Sequence, residues 1–160
     1  MRTSLMEEDG ALLLFEFTSA FPSVSHTFLL RSLEYLGFPS CAMSFLRSLY
    51  DITRCEISIA GGRHPGFHVT AGIRQGCPLS PLLYVIVADG LLRLLARRVP
   101  SSTVRAFADD TAQIITNVVR DLPLVHAVFT QFAAVSNLHL NLPKTIFIPS
   151  VTTTPLPSPR

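Results

Sequence analysis

The sequence is poor in charge. Asp, Glu, Lys and Arg make up 15% of its 160 residues, against 48% hydrophobic residues. Such a chain can bury a sizeable core and falls outside the highly charged, disordered class. It also lacks a strong excess of either sign, since 13 basic and 11 acidic residues leave a net charge of +2. Free-standing nucleic-acid binders draw much of their affinity from phosphate neutralisation and are usually more basic. Any grip on nucleic acid is therefore expected to lie mostly on other segments. Lysine is nearly missing, with Lys144 the only one in the chain. Cysteine is scarce. Cys41, Cys55 and Cys77 are odd in number and widely spaced, with neither zinc-ligand spacing nor a disulfide framework. They are expected to be reduced and mostly buried, which points to an intracellular protein. Glu7, Glu8 and Asp9 precede the first apolar run, a pattern wrong for a signal peptide. The longest apolar stretch, Leu79 to Leu95, is interrupted by Asp89, Gly90 and Arg93 and suits a core helix better than a membrane span.

What is present reads as an alternation of strands and helices. Ala11 to Phe15 is a continuous apolar run, expected to be a central strand buried on both faces and ending at Glu16. Residues 25–36 carry helical periodicity and stop at Gly37. Ser40 is placed to cap a second helix with Phe45, Leu46 and Leu49 on one face. Arg54 to Ala60, Gly61-Gly62 and Gly66 to Thr70 read as a hairpin. Ser80-Pro81 supplies a capping hydroxyl and a first-turn proline for a helix reaching Arg98. Residues 103–108 and 111–116 form two short strands with Asp109-Asp110 between them. Asp121 is placed to cap a helix bearing Val125, Val128, Phe129, Phe132 and Val135, and Asn137 suits the left-handed position after it. Thr145 to Ile148 reads as a last strand. Residues 1–10 are expected to be a frayed N-terminus, 11–149 one domain, and the proline-rich 150–160 a disordered tail. The order predicts an α+β fold of the ferredoxin-like, split βαβ kind, an antiparallel sheet with helices packed on one face.

Four segments carry chemistry. Asp109-Asp110 sets two carboxylates between apolar strands. Buried together they would repel unless a cation such as Mg²⁺ joined them, although a solvated turn also favours aspartate. Glu16, after a buried strand, likewise needs a partner, be it a cation, water or an arginine. Gly72-Ile73-Arg74-Gln75-Gly76-Cys77-Pro78-Leu79-Ser80-Pro81 is a Gly/Pro-punctuated loop that can present backbone and a glutamine to a ligand, or can simply be a helix entry. Asn137 to Thr145 holds Lys144, which alone reads as a surface charge. Arg93, Arg97 and Arg98 lie on or near one helical face and could touch phosphate or water.

Together these segments resemble the reverse transcriptases of non-LTR retrotransposons. Leu14 to Phe21, with Val24 and His26, is similar to the family's motif A. Gly72 to Pro81 is similar to motif B, Phe107 to Asp110 to motif C, and Leu138 to Thr145 to motif D. They occur in family order over roughly residues 11–149, which implies a polymerase palm. The resemblance further implies two-metal nucleotidyl transfer with Mg²⁺ or Mn²⁺, the metal ligands being Glu16, Asp109 and Asp110. It implies that Phe17 offers its backbone carbonyl to a metal and that Phe21 lies beneath the incoming sugar and excludes a 2′-hydroxyl. Arg74, Gln75 and Gly76 would contact nucleotide or template, and Lys144 would be the general acid for pyrophosphate. The implied partners are an RNA template, a DNA primer and a dNTP, with no membrane.

The sequence also departs from the family pattern. Glu16 stands where the family has aspartate, Pro22-Ser23 where many members have an aspartate, and Asn137 where glycine is usual. Ten residues precede the strand that leads into motif A, and a proline-rich stretch follows motif D, so fingers and thumb are not expected within these residues. Binding and activity by this stretch alone are expected to be weak or nil. The alternative readings are a palm remnant that only binds nucleic acid or another chain, and an unrelated α+β metal-dependent phosphotransfer domain, to which the loop at 72–81 is foreign.

Overall fold

In β1 (Ala11–Phe15) every second side chain goes to the same place: Ala11, Leu13 and Phe15 are buried, while Leu12 and Leu14 are half-buried. The computed structural model describes residues 9–50 and 53–150; of the expected frayed segment 1–10 and tail 150–160 only Asp9, Gly10 and Ser150 are described, and these are tied in, Asp9 O accepting from Val118 N–H and Gly10 O from Ser150 N–H at 2.8 Å each. After β1 come α1 (Ala20–Ser23), α2 (His26–Tyr35), α3 (Ser40–Tyr50), the β2–β3 hairpin (Arg54–Ile59, Gly62–His68) and α4 (Ser80–Arg98). Then follow β4 (Thr103–Phe107), β5 (Asp110–Ile115), α5 (Val118–Ser136), a 3₁₀ turn (Leu142–Lys144) and β6 (Ile146–Pro149). The main sheet has the order β4-β5-β1-β6, antiparallel throughout. That is the split βαβ arrangement the element order predicts.

One face of this sheet packs on the helices. Leu13 and Phe15 meet a core that includes Leu29, Leu33, Leu83, Val87, Leu91, Val128, Phe129 and Phe132, and Phe15 lies 4.6 Å from Phe129 between ring centroids. The other face carries Leu12, Leu14, Ala112, Ile114, Ile146 and Ile148 without a helical cover among the described residues. β1 is therefore central but buried on one face only, because both long helices pack on the same side. α5 is long and apolar enough to cross a membrane by length and composition. Here its stripe of Val125, Val128, Phe129 and Phe132 closes the core.

Several expected details move by a residue or a turn. Phe45 is exposed and Met43, Leu46 and Tyr50 form the packing face of α3, since one residue along a helix turns about 100°. Val135 is exposed on α5 for the same reason, and Ser136 takes the buried position. The hairpin turns at Ala60-Gly61, both at positive φ, so Gly62 pairs with Ile59. Ser80 does not cap α4. It is the first helical residue, and its hydroxyl donates to the Arg74 carbonyl while Leu79 holds the cap position. Cys41 and Cys55 are exposed free thiols, not buried ones.

The cap of α5 is Asn117, whose side chain accepts from Arg120 N–H at 2.8 Å. Asp121, expected as the cap, sits one turn in and is buried. It accepts from Arg120 Nε at 2.7 Å, from Asn117 N–H at 3.3 Å and from Ser101 Oγ at 3.4 Å. The hydrogen bond from Arg120 is the main reason its carboxyl lies below the ordinary carboxylate value. The folded chain binds this proton less readily than the unfolded chain does. Its contribution is therefore complete above about pH 4 and is lost as pH falls through the depressed value. Asp121→Asn should destabilise the fold by about 1–3 kcal/mol at neutral pH and flatten the loss of stability below pH 4. Denaturant titrations at pH 7 and pH 3 check both.

Candidate active site

Strand register assembles the site. Phe15 pairs with Thr111 across β1–β5, and Leu14 with Ile146 across β1–β6. Carried past the strand ends, the same registers set Glu16 across from Asp110 on one side and from Lys144 on the other. Phe107 pairs with Asp110, and Arg105 with Ala112. Directly opposed residues share a face, so Phe107, Asp110, Glu16 and Lys144 form one row at the end of the open face, with Arg105 in the row behind. All five line a single cavity of about 470 Å³.

The two neighbouring aspartates are not equivalent. The turn consists of Ala108 and Asp109 alone, and Asp110 is the first residue of β5, in place of the expected turn holding both. Asp109 is half-buried in the turn and does not line the cavity. Ala108 reaches the turn at φ 52°, a left-handed conformation disfavoured for a residue with a Cβ.

Glu16 has a partner. Lys144 Nζ donates to its Oε1 at 2.6 Å. This hydrogen bond, reinforced by the charge of Glu16, holds the Lys144 ammonium above the ordinary lysine value. Both side chains remain partly open to solvent. Among the described residues no group of three or more Asp, Glu, His or Cys is gathered closely enough to hold a metal ion. The donor chemistry nevertheless suits a hard divalent cation, because the carboxylates of Glu16 and Asp110 line one cavity at the ends of adjacent strands, and Asp109 lies in the adjoining turn outside it.

A second cluster forms where the loop at 72–81 docks. Gly72 N–H donates to Val24 O and Ile73 N–H to Phe21 O, each at 2.8 Å, and His26 Nε2 donates to Gly72 O at 2.8 Å. Gly72 lies at φ 104°, where a Cβ would come within 2.9 Å of Pro22 O. This zipper fixes Phe21, whose ring stacks on Tyr84 with centroids 4.4 Å apart. Burial, and then the charge of Asp109, push the Tyr84 phenol above its ordinary range. Tyr84 thus stacks on Phe21 while its hydroxyl feels the charge of Asp109 in the β4–β5 turn.

The remaining candidates are dispersed. Gln75 and Gly76 are exposed in the loop. Arg74 is held by α3, its Nη2 donating to Leu49 O and Thr53 Oγ1 at 2.9 Å each. Phe17 is buried, and the bonds flanking it, Thr18 N–H to His139 O and Asn141 N–H to Glu16 O at 2.8 Å, leave its own carbonyl unused. Arg105 and Tyr84 were missed in the sequence. Strand alternation two residues before Phe107 signals the first, whereas nothing local signals the second.

The sequence profile of the family described as reverse transcriptase (RNA-dependent DNA polymerase) matches residues 4–154. The chain belongs to this family. It is 27% identical over 143 residues to the transposon TX1 uncharacterized 149 kDa protein of Xenopus laevis, covering 84% of this chain and 11% of that protein. It is 31% identical over 141 residues to the Pol polyprotein of the type-1 retrotransposable element R2 of Popillia japonica, covering 81% and 19%. It is thus a small part of the length of such relatives. Its fold is similar to that of Candida tropicalis telomerase solved with a fragment of telomeric RNA, with a TM-score of 0.71 at 14% identity over 92% of this chain and 27% of that one. Candida albicans telomerase gives 0.67 at 13% identity over 91% and 28%. These likenesses establish a palm-like fold for the chain.

The strained turn gives a direct test. Ala108→Gly should stabilise the protein by roughly 0.5–1 kcal/mol, the left-handed penalty less the added entropy of glycine. A shift of the denaturant midpoint to lower concentration would contradict this conformation.

Proposed function

We propose that this chain is the palm of an RNA-directed DNA polymerase, and that its open-face row is the seat of template-directed nucleotidyl transfer. The observation that carries the reading is the convergence of Asp110, Glu16 and Lys144 at one end of one sheet face. Glu16, Asp109 and Asp110 would hold Mg²⁺ or Mn²⁺. A divalent cation held there supplies neutralisation of phosphate charge and activation of a primer hydroxyl. Lys144 carries its proton beside the carboxylates and can deliver it to departing pyrophosphate. Phe21, stiffened by the Tyr84 ring beneath it, offers an apolar floor that excludes a 2′-hydroxyl. Gln75 and Gly76 are free to meet nucleotide or template, whereas Arg74 would have to leave α3 to do so. RNA template, DNA primer and dNTP are the partners this reading requires, and catalysis is mainly positioning and charge neutralisation.

Glu16 limits turnover in this reading. It is one methylene longer than the aspartate the family has there, and its carboxylate is engaged by Lys144. Mg²⁺ demands near-ideal geometry, and a displacement of about 1 Å can cost on the order of 10²-fold in rate. The ion pair also favours the second reading, a palm that binds nucleic acid without turning over.

Two measurements separate these. With a retrotransposon reverse transcriptase carrying this palm in place of its own, Glu16→Asp should raise primer extension at least about tenfold; equal rates would sink the claim that Glu16 limits turnover. With the chain itself, Mg²⁺ or Mn²⁺ should raise the melting temperature, and Asp110→Asn should abolish the rise. A flat response would favour the non-catalytic palm.

A further inference from the structure

The helical layer carries a second concavity that shares no residue with the carboxylate cavity. It is a groove of about 640 Å³ between α2, α4 and the C-terminal half of α5. Phe28, Ile86 and Val135 give it an apolar floor, and Tyr35 stands exposed at its edge. Arg31, Arg93 and Arg97 rim it, with Asp89 as its one carboxylate. Arg93 already takes that carboxylate, Nε to Oδ2 at 2.5 Å. Arg31 and Arg97 have no carboxylate partner among the described residues. Three arginines less one aspartate leave the groove with a net positive charge of two.

Gly90 lies in the groove wall, in the middle of α4. Glycine is unfavourable inside a helix, and packing does not require it here. A Cβ at this position would meet only Phe132 Cε2, at 3.8 Å, an ordinary contact. The absent side chain bares the α4 backbone inside the groove, where a second backbone can come close.

We propose that this groove docks an amphipathic helix of a partner protein. Its apolar stripe would sit on Phe28, Ile86 and Val135, and acidic residues on its flanks would pair with Arg31 and Arg97. Apolar anchors at helical spacing laid into a groove are a recurring mode of peptide recognition, and guanidinium groups suit carboxylates through paired hydrogen bonds. A nucleic-acid strand would meet the same arginines. It would also meet the rings of Phe28 and Tyr35, but Phe28 is engaged edge-on with Phe132, Ile86 and Val135 offer bases no stacking face, and Asp89 adds a charge of the same sign as phosphate.

The test uses the full chain and a fluorescein-labelled helical peptide of about 18 residues, with a leucine stripe and glutamates on both flanks, read by anisotropy at low salt. Saturable binding is expected. It should weaken at least about fivefold in Arg31→Glu and in Arg97→Glu. Gly90→Ala should also weaken binding while raising the melting temperature, as helix propensity requires. The proposal is overturned if the glutamate peptide does not bind, if its lysine counterpart binds equally well, or if oligothymidylate displaces it. A fall in the melting temperature of Gly90→Ala would assign the glycine to packing and also count against it.

Discussion

Everything at the candidate site depends on the register of β1 between β5 and β6. Side chains alternate along a strand, so a slip of one residue would send Leu13 and Phe15 to solvent and Glu16 into the helical core. The pairs Leu13–Gln113 and Phe15–Thr111 on one side, and Leu12–Ile148 and Leu14–Ile146 on the other, fix one register. The burial of Ala11, Leu13 and Phe15 under α4 and α5 makes that register the favoured one. The same pairing that builds the core therefore places Glu16 in line with Asp110 and Lys144.

This arrangement sets a competition. A carboxylate at the end of a sheet face needs a counter-charge, and Glu16 can take one from Lys144 or from a divalent cation. As folded, the chain uses Lys144. The zipper between the loop at 72–81 and the segment after motif A works on the other side of the site, holding Phe21 on Tyr84. Two independent devices thus order this region: a strand register gathers the charged side chains, and a loop holds Phe21 on Tyr84, whose hydroxyl feels the charge of Asp109.

Much of this was legible in the sequence. The apolar run at 11–15, the helical periodicity before Gly37 and the order of motifs were enough for the fold and the family, because each is a local pattern. The site was legible as far as alternation reaches: the strands whose ends carry Glu16, Asp110 and Lys144 could be read locally, and it is their pairing that brings the three side chains to one cavity. The split of Asp109 from Asp110 was not, since both aspartates suit a turn and nothing in the sequence favours Ala108 in a left-handed conformation. Tyr84 was hidden for another reason. On α4 it reads as core, and only tertiary packing sets it against Phe21 and near Asp109. Arg74 misled in the opposite direction, being a motif residue whose guanidinium is held by the end of α3. Ser80 looked like a cap because its hydroxyl precedes a proline, yet that hydroxyl closes the preceding loop onto Arg74.

The central claim is that Glu16 exchanges Lys144 for a divalent cation. Because the chain has a single lysine, isotopically labelled lysine gives one set of side-chain resonances, and those report the contact directly. Titration with Mg²⁺ at constant ionic strength should move the Lys144 Cε and Nζ signals toward those of a free lysine, and should have no effect in Glu16→Gln. Lys144 resonances that stay fixed while Mg²⁺ binds elsewhere in the chain would contradict the account.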